Sequence, residues 1–221
     1  MKKVTLESFF SKFPDIDLGD FNINSDTDTN KQIKIWMRDM KLKDDKKYFE
    51  LYSDSRVNFA HSDEDMPKSL EEANRSIKFW GSLFYNKRSI FWTIADKNTD
   101  IMIGNIGLVN FYASNKRAEI SYDIFPEYHR NGIMSKALSA VLNIVFNRMS
   151  VFRIEARTII DNIPSQMLLQ KHGFKKEGIL RGYRFIRGKS VDIMLFSLIK
   201  SDYELLIRNK FEEIDLNNKN M

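Results

Sequence analysis

Two hydrophobic periods take turns along the chain: alternation every second residue marks strands, and repeats near 3.6 residues mark helices. From Lys31, the residues Ile33, Ile35 and Met37 fall on one side of an alternating run, which predicts a strand. Residues 44–53 predict a short helix. Ser69 with Glu72 fits a capping box, and Leu70, Ala73, Ile77, Trp80 and Phe84 follow at helical spacing, so a longer helix is predicted behind it. Three β-rich runs come next: Ile90–Ala95, Ile101–Phe111 and Arg117–Phe125. The turns Lys97-Asn98-Thr99-Asp100 and Ser114-Asn115-Lys116 separate them and Pro126 closes the last, the pattern of an antiparallel meander. From about Ile133 to Met149 a long apolar helix is predicted, with Met134, Leu138, Val141, Val145 and Met149 on one face.

Phe152, Ile154, Ala156 and Thr158 then alternate with Arg153, Glu155 and Arg157, a strand. Asn162 or Ile163 can cap a further helix that has Pro164 in its first turn and Gly173 as its stop. Two final strands flank Arg187-Gly188-Lys189, and the tail Asp202–Leu216 is helix-like and charged. Residues 14–30, rich in Asp, Asn and Thr, show no period and read as a loop or extended lead-in. The order β-α-α-β-β-β-α-β-α-β-β is that of a mixed α+β domain. We divide the chain into an extension of unknown role (1–30), the domain (31–200) and a charged tail (201–221).

Composition narrows the chemistry. The chain has 221 residues and 43% hydrophobic content, enough for one domain with a full core. Cysteine is absent, which excludes disulfides, thiolate metal sites and a cysteine nucleophile. With three histidines no metal site is expected. Mean hydropathy is −0.42 and no uncharged apolar run of about 18 residues occurs, so no membrane span is expected. A soluble, cytoplasmic protein is the resulting expectation. The net charge of +5 is concentrated: residues 129–190 carry twelve Lys and Arg against Glu155, Asp161 and Glu177. Such a field suits a polyanion, either nucleic acid or a phosphorylated cofactor, and a solvated basic surface explains the charge as well.

The informative stretch is Tyr128-His129-Arg130-Asn131-Gly132-Ile133-Met134-Ser135-Lys136-Ala137, between a strand and the long helix. A helix start leaves backbone N–H groups unpaired and adds partial positive charge, while Gly132 allows close backbone approach or a positive φ. Together these can cradle a pyrophosphate. For a single glycine an ordinary turn is the better account, so the surrounding residues decide.

In order along the chain come Arg117-Ala118-Glu119-Ile120-Ser121-Tyr122, His129-Arg130-Asn131-Gly132-Ile133-Met134, Asn162-Ile163-Pro164-Ser165 with Leu168-Leu169-Gln170-Lys171-His172-Gly173-Phe174, and Glu177-Gly178-Ile179-Leu180-Arg181-Gly182-Tyr183 with Gly188-Lys189-Ser190-Val191-Asp192. Residues 101–199 thereby resemble the GNAT superfamily of acyl-CoA-dependent N-acetyltransferases, especially its RimJ/RimL-like branch of ribosomal-protein N-terminal acetyltransferases. The resemblance implies the GNAT fold, a mixed central sheet flanked by helices, with acetyl-CoA as co-substrate. His129 stands where the family usually has Gln or Arg, and Met134 where it has Gly or Ala; backbone N–H groups would still hold the phosphates.

The resemblance further implies direct attack of an amine on the thioester carbonyl. Glu119 is the candidate base; the alternative is an edge glutamate paired with Arg117 or Lys116. The carbonyl oxygen should meet a backbone N–H near Ile124 or Phe125. The tyrosine acid common in the family is replaced by Leu169, and Ser165 is the branch's substitute, set against a plain first-turn helix role. Asn162 either reaches the pantetheine arm or caps a helix. Arg130, Lys136 and Lys171 are expected near phosphates, beside the loop residues Asn131, Gly132, Ile133, Met134 and Ser135. Trp80 and Phe84 are expected as core or pocket wall. The expected acceptor is an amine, either a protein N-terminus or a small polycation such as a polyamine or aminoglycoside. The charged stretches Asp63-Glu64-Asp65 and Glu71-Glu72 lie near the elements that would shape its site. A non-catalytic acyl-CoA-binding module and a nucleic-acid-binding protein are the competing classes. A monomer or homodimer is expected, with no membrane partner.

Overall fold

The computed structural model describes residues 9–24 and 29–219. Eight strands form one sheet: β1 (Ile16–Asn24), β2 (Thr29–Asp39), β3 (Phe91–Asp96), β4 (Met102–Tyr112), β5 (Arg117–Ile124), β6 (Arg153–Ile159), β7 (Lys175–Ile186) and β8 (Lys189–Ile199). Their spatial order is β1-β2-β3-β4-β5-β6-β8-β7. Neighbours are antiparallel except β5 and β6, which run parallel. The helices are α1 (Asp45–Ser53), α2 (Ser55–Asn58), α3 (Leu70–Tyr85), α4 (Ile133–Arg148), α5 (Ile163–Lys171) and α6 (Lys200–Lys219). The mixed α+β architecture expected from the pattern is the one observed.

β1 departs from expectation, because residues 14–30 read as a lead-in. Their apolar members, Ile16, Leu18, Phe21 and Ile23, do not keep a period of two. A bulge explains this: Asp17 pairs with Trp36 but Gly19 pairs with Ile35, so Leu18 is an inserted residue and the alternation slips. Leu18 and Ile23 are nonetheless buried. Phe152 also departs. It precedes β6 instead of joining its inward face, and it is 52% exposed while its N–H donates to the Lys116 carbonyl.

The sheet is covered on both sides. α4 packs Leu138, Val141, Val145 and Phe146 against Trp92, Ile94, Ile106, Ile154 and Phe196, and Tyr203 of α6 stacks on Phe146 at 4.8 Å. On the other face α1 and α3 contribute Tyr48, Leu51, Tyr52, Ala73 and Ile77 around Phe91 and Met102. β3 lies between the layers and is apolar or buried from Phe91 to Ala95, as a strand covered on both faces must be. Each large side chain so enclosed contributes about 1.5–3 kcal/mol. Ser69 accepts from the Glu72 N–H at the start of α3, as the capping signal predicts, but the Glu72 carboxylate accepts from the Lys68 N–H, one residue before the N–H that a capping box would use.

The loop entering α1 is tied to the sheet by a buried charge cluster. Arg38 donates two hydrogen bonds to Asp44, both 2.8 Å, and also bonds Asp100. Arg38 and Asp44 are almost inaccessible to solvent. This clamp fixes α1, and α1 carries one wall of the cavity described next.

Candidate active site

β5 and β6 hydrogen-bond only from Arg117–Glu119 to Arg153–Glu155. Beyond Glu119 the two strands part, while β5 stays paired to β4 as far as Ile124. The N–H of Phe125 donates to the Ile103 carbonyl at 2.9 Å. N–H groups alternate sides along an antiparallel ladder, so those of Ile124 and Tyr122 turn toward the gap that β6 has vacated. Of the two N–H groups expected at the splayed end, Phe125's is engaged within the sheet and Ile124's faces the opening. Tyr122's N–H, two residues earlier, joins it there, and the motif alone does not point to it.

The chain then runs through a short 3-10 turn, Pro126–Tyr128, into the loop His129–Gly132. His129 Nε2 lies 3.1 Å from the Ile124 carbonyl, folding the loop back on its strand. Arg130 has φ +60° and Gly132 φ +78°. Gly132 is the N-cap of α4, and the first intrahelical bond runs from the Lys136 N–H to its carbonyl at 3.0 Å. The N–H groups of Ile133, Met134 and Ser135 therefore precede the helical ladder. A Cβ built on Gly132 would meet nothing within 4 Å. The backbone is thus bare and open at the point where the sequence placed a cradle.

Side chains around the loop are mostly structural. Asn131 accepts from the Asn24 N–H of β1 at 3.0 Å and donates to the His129 carbonyl. Ile133 is buried and Met134 packs on the core. Lys136 holds its ammonium 5.2 Å from the Phe21 ring of β1. His172, just past Lys171 at the end of α5, is buried; its Nε2 lies 2.9 Å from the Ser135 carbonyl and its Nδ1 2.8 Å from that of Leu168. Burial holds the His172 imidazole below its ordinary pKa despite these contacts. This contact brings the C-terminal end of α5, and Lys171 with it, beside the first turns of α4.

A cavity of about 720 Å³ opens at the splay and reaches both faces of the sheet. Glu119, Asn162 and Ser165 line it, so the two expected catalytic residues share one space. Asn162 caps α5, its Oδ1 accepting from the Ser165 N–H at 3.2 Å. The Ser165 hydroxyl is 2.9 Å from the Tyr122 hydroxyl, and burial drives that phenol far above its ordinary pKa, so it stays protonated. Glu119 does not pair with Arg117 or Lys116. Its Oε2 accepts from Asn110 at 2.9 Å and from Arg157, while Arg117 bonds Glu155 instead. Trp80 lines the cavity against Phe91, whereas Phe84 belongs to the core. Of the acidic stretches, Glu64 and Asp65 reach the cavity wall.

A family model described as the acetyltransferase (GNAT) domain matches residues 34–175. The chain belongs to the GNAT acetyltransferase family. The Bacillus subtilis protein called uncharacterized N-acetyltransferase YoaA is 35% identical over 167 residues, spanning 76% of this chain and 94% of that one. The ribosomal-protein-serine acetyltransferase of Escherichia coli is 26% identical over 141 residues, 64% of this chain and 74% of the other. Among solved structures, Mycobacterium smegmatis RimJ in complex with CoA-disulfide superposes with a TM-score of 0.72 at 17% identity, covering 89% of this chain and 95% of that one. This GNAT protein is an acyl-CoA-dependent N-acetyltransferase with acetyl-CoA as its co-substrate.

The residues present fit that co-substrate. The open Cβ space at Gly132 and the ladder-free N–H groups of α4 suit a diphosphate, and the bared edge of β5 suits an extended amide-bearing arm. Besides Tyr122's N–H, sequence reasoning missed Arg157, Asp123 and His61 as cavity residues. Asp123 shares the strand face of Glu119 at a spacing of four, a period-two signal that was legible. His61 lies in a loop between helices and carried no signal. Among the described residues no cluster of His, Asp and Glu could hold a metal ion, and no helix is long and apolar enough to cross a membrane.

Proposed function

We propose that this enzyme acetylates the α-amine of a protein N-terminus in the cytoplasm. The observation that carries the reading is the charge balance of the cavity. Four carboxylates, Glu64, Asp65, Glu119 and Asp123, face three guanidinium groups, Arg75, Arg157 and Arg184, among aromatic walls from Tyr48, Tyr52, Trp80 and Tyr183. Such a wall suits one ammonium on a polar peptide better than a polycation with several. The naming of Escherichia coli relatives as ribosomal-protein-serine and uS5-alanine acetyltransferases supports the same acceptor class.

Acetyl-CoA supplies an activated acetyl thioester. In this reading Ile133, Met134 and Ser135 hold its phosphates through their N–H groups, with Arg130, Lys136 and Lys171 lending charge. The N–H groups of Ile124 and Tyr122 bind carbonyl oxygens along the arm and at the thioester, where fixed donors stabilise developing negative charge. Ser165, hydrogen-bonded to the protonated Tyr122, gives the leaving sulfur its proton. This arrangement offsets the absence of a tyrosine at Leu169. Removal of the amine's proton falls to a base on the acceptor face of β5, the face that Glu119 and Asp123 share in the cavity wall.

The test is release of free thiol from acetyl-CoA with a panel of acceptors: short peptides beginning with Ser, Ala or Met, the same peptides N-terminally blocked, spermine and an aminoglycoside. Turnover confined to unblocked peptides is expected. Turnover with spermine or the aminoglycoside alone refutes the acceptor class, and thiol release with none of them favours a non-catalytic acyl-CoA-binding role.

A further inference from the structure

The cavity wall also holds a buried polar chain that the roles above leave unused. Asp123 Oδ1 lies 2.9 Å from His61 Nε2, and its Oδ2 accepts from the Tyr52 hydroxyl at 2.9 Å. That hydroxyl accepts in turn from Asn105 Nδ2 at 3.2 Å. The edge of the Tyr52–His61 pair closes the arrangement, with ring centroids 5.2 Å apart at 85°. Tyr52, His61 and Asp123 all line the cavity. The His61 side chain is 18% exposed and that of Asp123 12%, so neither contact is a surface accident.

An ionised carboxylate can only accept hydrogen bonds, so it fixes the proton of neutral His61 on Nε2 and leaves the lone pair on Nδ1. Among the described residues Nδ1 has no hydrogen-bond partner. Glu119 is placed differently: its Oε2 is taken up by Asn110 and Arg157, and it stands at the last paired position before the strands part. Asp123 stands beyond that point, between Tyr122 and Ile124, whose N–H groups face the gap.

Resting on the N-acetyltransferase reading, we infer that His61 takes the proton from the acceptor ammonium, oriented by Asp123 and Tyr52, and that Glu119 anchors the charged wall. One ammonium proton passes to His61 Nδ1, and the imidazolium formed stays paired with the Asp123 carboxylate. The freed nitrogen lone pair forms the C–N bond; the C–S bond breaks and its electron pair leaves on sulfur. The nitrogen sheds a second proton, and the sulfur gains one through Ser165. The net product is one proton on His61, released to water.

The surroundings tune this group. Burial disfavours the imidazolium, but Asp123 on β5 and Asp65 on the neighbouring loop favour it, while Arg184 on β7 opposes it; the balance lies above the ordinary histidine value. Tyr52 from α1 stays a neutral phenol, its pKa pushed far up by burial. An α-amine titrates near ~8 and a lysine side chain near ~10.4. A histidine base shifted upward is matched to the first, so this assignment selects N-terminal amines over lysine side chains.

The experiment compares kcat/KM between about pH 5.5 and 9.5 for the wild type, His61→Gln, Asp123→Asn and Glu119→Gln. The acceptor is a short Ser-led peptide, or whichever panel amine turns over, with calorimetric titration of coenzyme A as a control. In His61→Gln the rate falls about 100-fold and the acidic limb moves up to the titration of the free amine, with coenzyme A affinity unchanged. In Asp123→Asn the limb moves down, and in Glu119→Gln it stays in place. An unmoved limb in His61→Gln, or a limb that moves in Glu119→Gln, overturns the inference. The proton NMR titration of the His61 ring, assigned by its loss in His61→Gln, needs no acceptor. A titration above about 6.5 that drops in Asp123→Asn is expected, and one at or below that value overturns the inference even if the acceptor class is wrong.

Discussion

Gly132 and Gly188 allow the phosphate cradle to be tested against its own control. Both have positive φ, +78° and +71°, and a Cβ on either meets nothing within 4 Å. Gly132 opens α4, whereas Gly188 sits in the β7–β8 turn. Placing an L side chain in the left-handed region costs about 1–2 kcal/mol. For a chain of this size each kcal/mol lowers Tm by about 2–4 °C, so Gly132→Ala and Gly188→Ala should both melt several degrees lower. That strain exists with and without ligand, so by itself it leaves the affinity of the folded protein unaltered. At Gly132 the empty space beside the backbone is the space a diphosphate fills, and an added methyl competes for it. Forcing a methylene into a filled site costs about 1–3 kcal/mol, which corresponds to about a 5- to 150-fold rise in Kd. Calorimetric titration with coenzyme A on the two variants, beside their melting curves, separates the effects. Equal coenzyme A affinities in the two alanine variants would refute the placement of the cradle.

Three further outcomes follow from two distinct parts of the molecule. Ser165→Ala removes the hydroxyl beside Tyr122 but leaves the Asn162 cap, which uses the backbone N–H of residue 165; turnover should fall about 100-fold with little change in melting temperature or coenzyme A affinity, read from thiol release and calorimetry. Arg38→Met strands Asp44 without its cation and should cost about 3–5 kcal/mol in denaturant unfolding. The same cluster sets an acid dependence. Burial raises the Asp100 carboxyl, but hydrogen bonds from Lys43 and Arg38 outweigh it and hold the pKa at about 2. A depressed carboxylate stabilises the fold above its unfolded value near ~3.9 and loses that contribution as pH falls toward its folded value. Unfolding measured between about pH 4 and 2 should therefore be less steeply pH-dependent in Asp100→Asn, and an identical slope would count against the assignment.

The elements and the loop were legible in the sequence because their signals are local. A capping serine with its glutamate at Ser69 and Glu72, a run of alternating residues at Ile33–Met37 and a glycine before an apolar helix each act within a few residues of chain. The ordered motifs around Glu119, Gly132, Asn162 and Ser165 were readable for the same reason, and they led to the GNAT fold. β1 escaped because a bulge at Leu18 broke the alternation that would have marked it. What the tertiary structure decided is which of these side chains meet. Glu119 turned to Arg157 across 38 residues of chain and not to its neighbours Arg117 and Lys116, since strand pairing brings β6 alongside β5 and Arg117 is drawn to Glu155 of β6. Tyr122 found Ser165 over 43 residues, and Asp123 found His61 over 62. A sequence states the period of a strand and therefore its faces; it carries no record of what the fold will lay against each face. The contacts that set proton positions, from His61 on Asp123 to Tyr122 on Ser165, arise only where the splayed strands, α1 and α5 enclose one cavity.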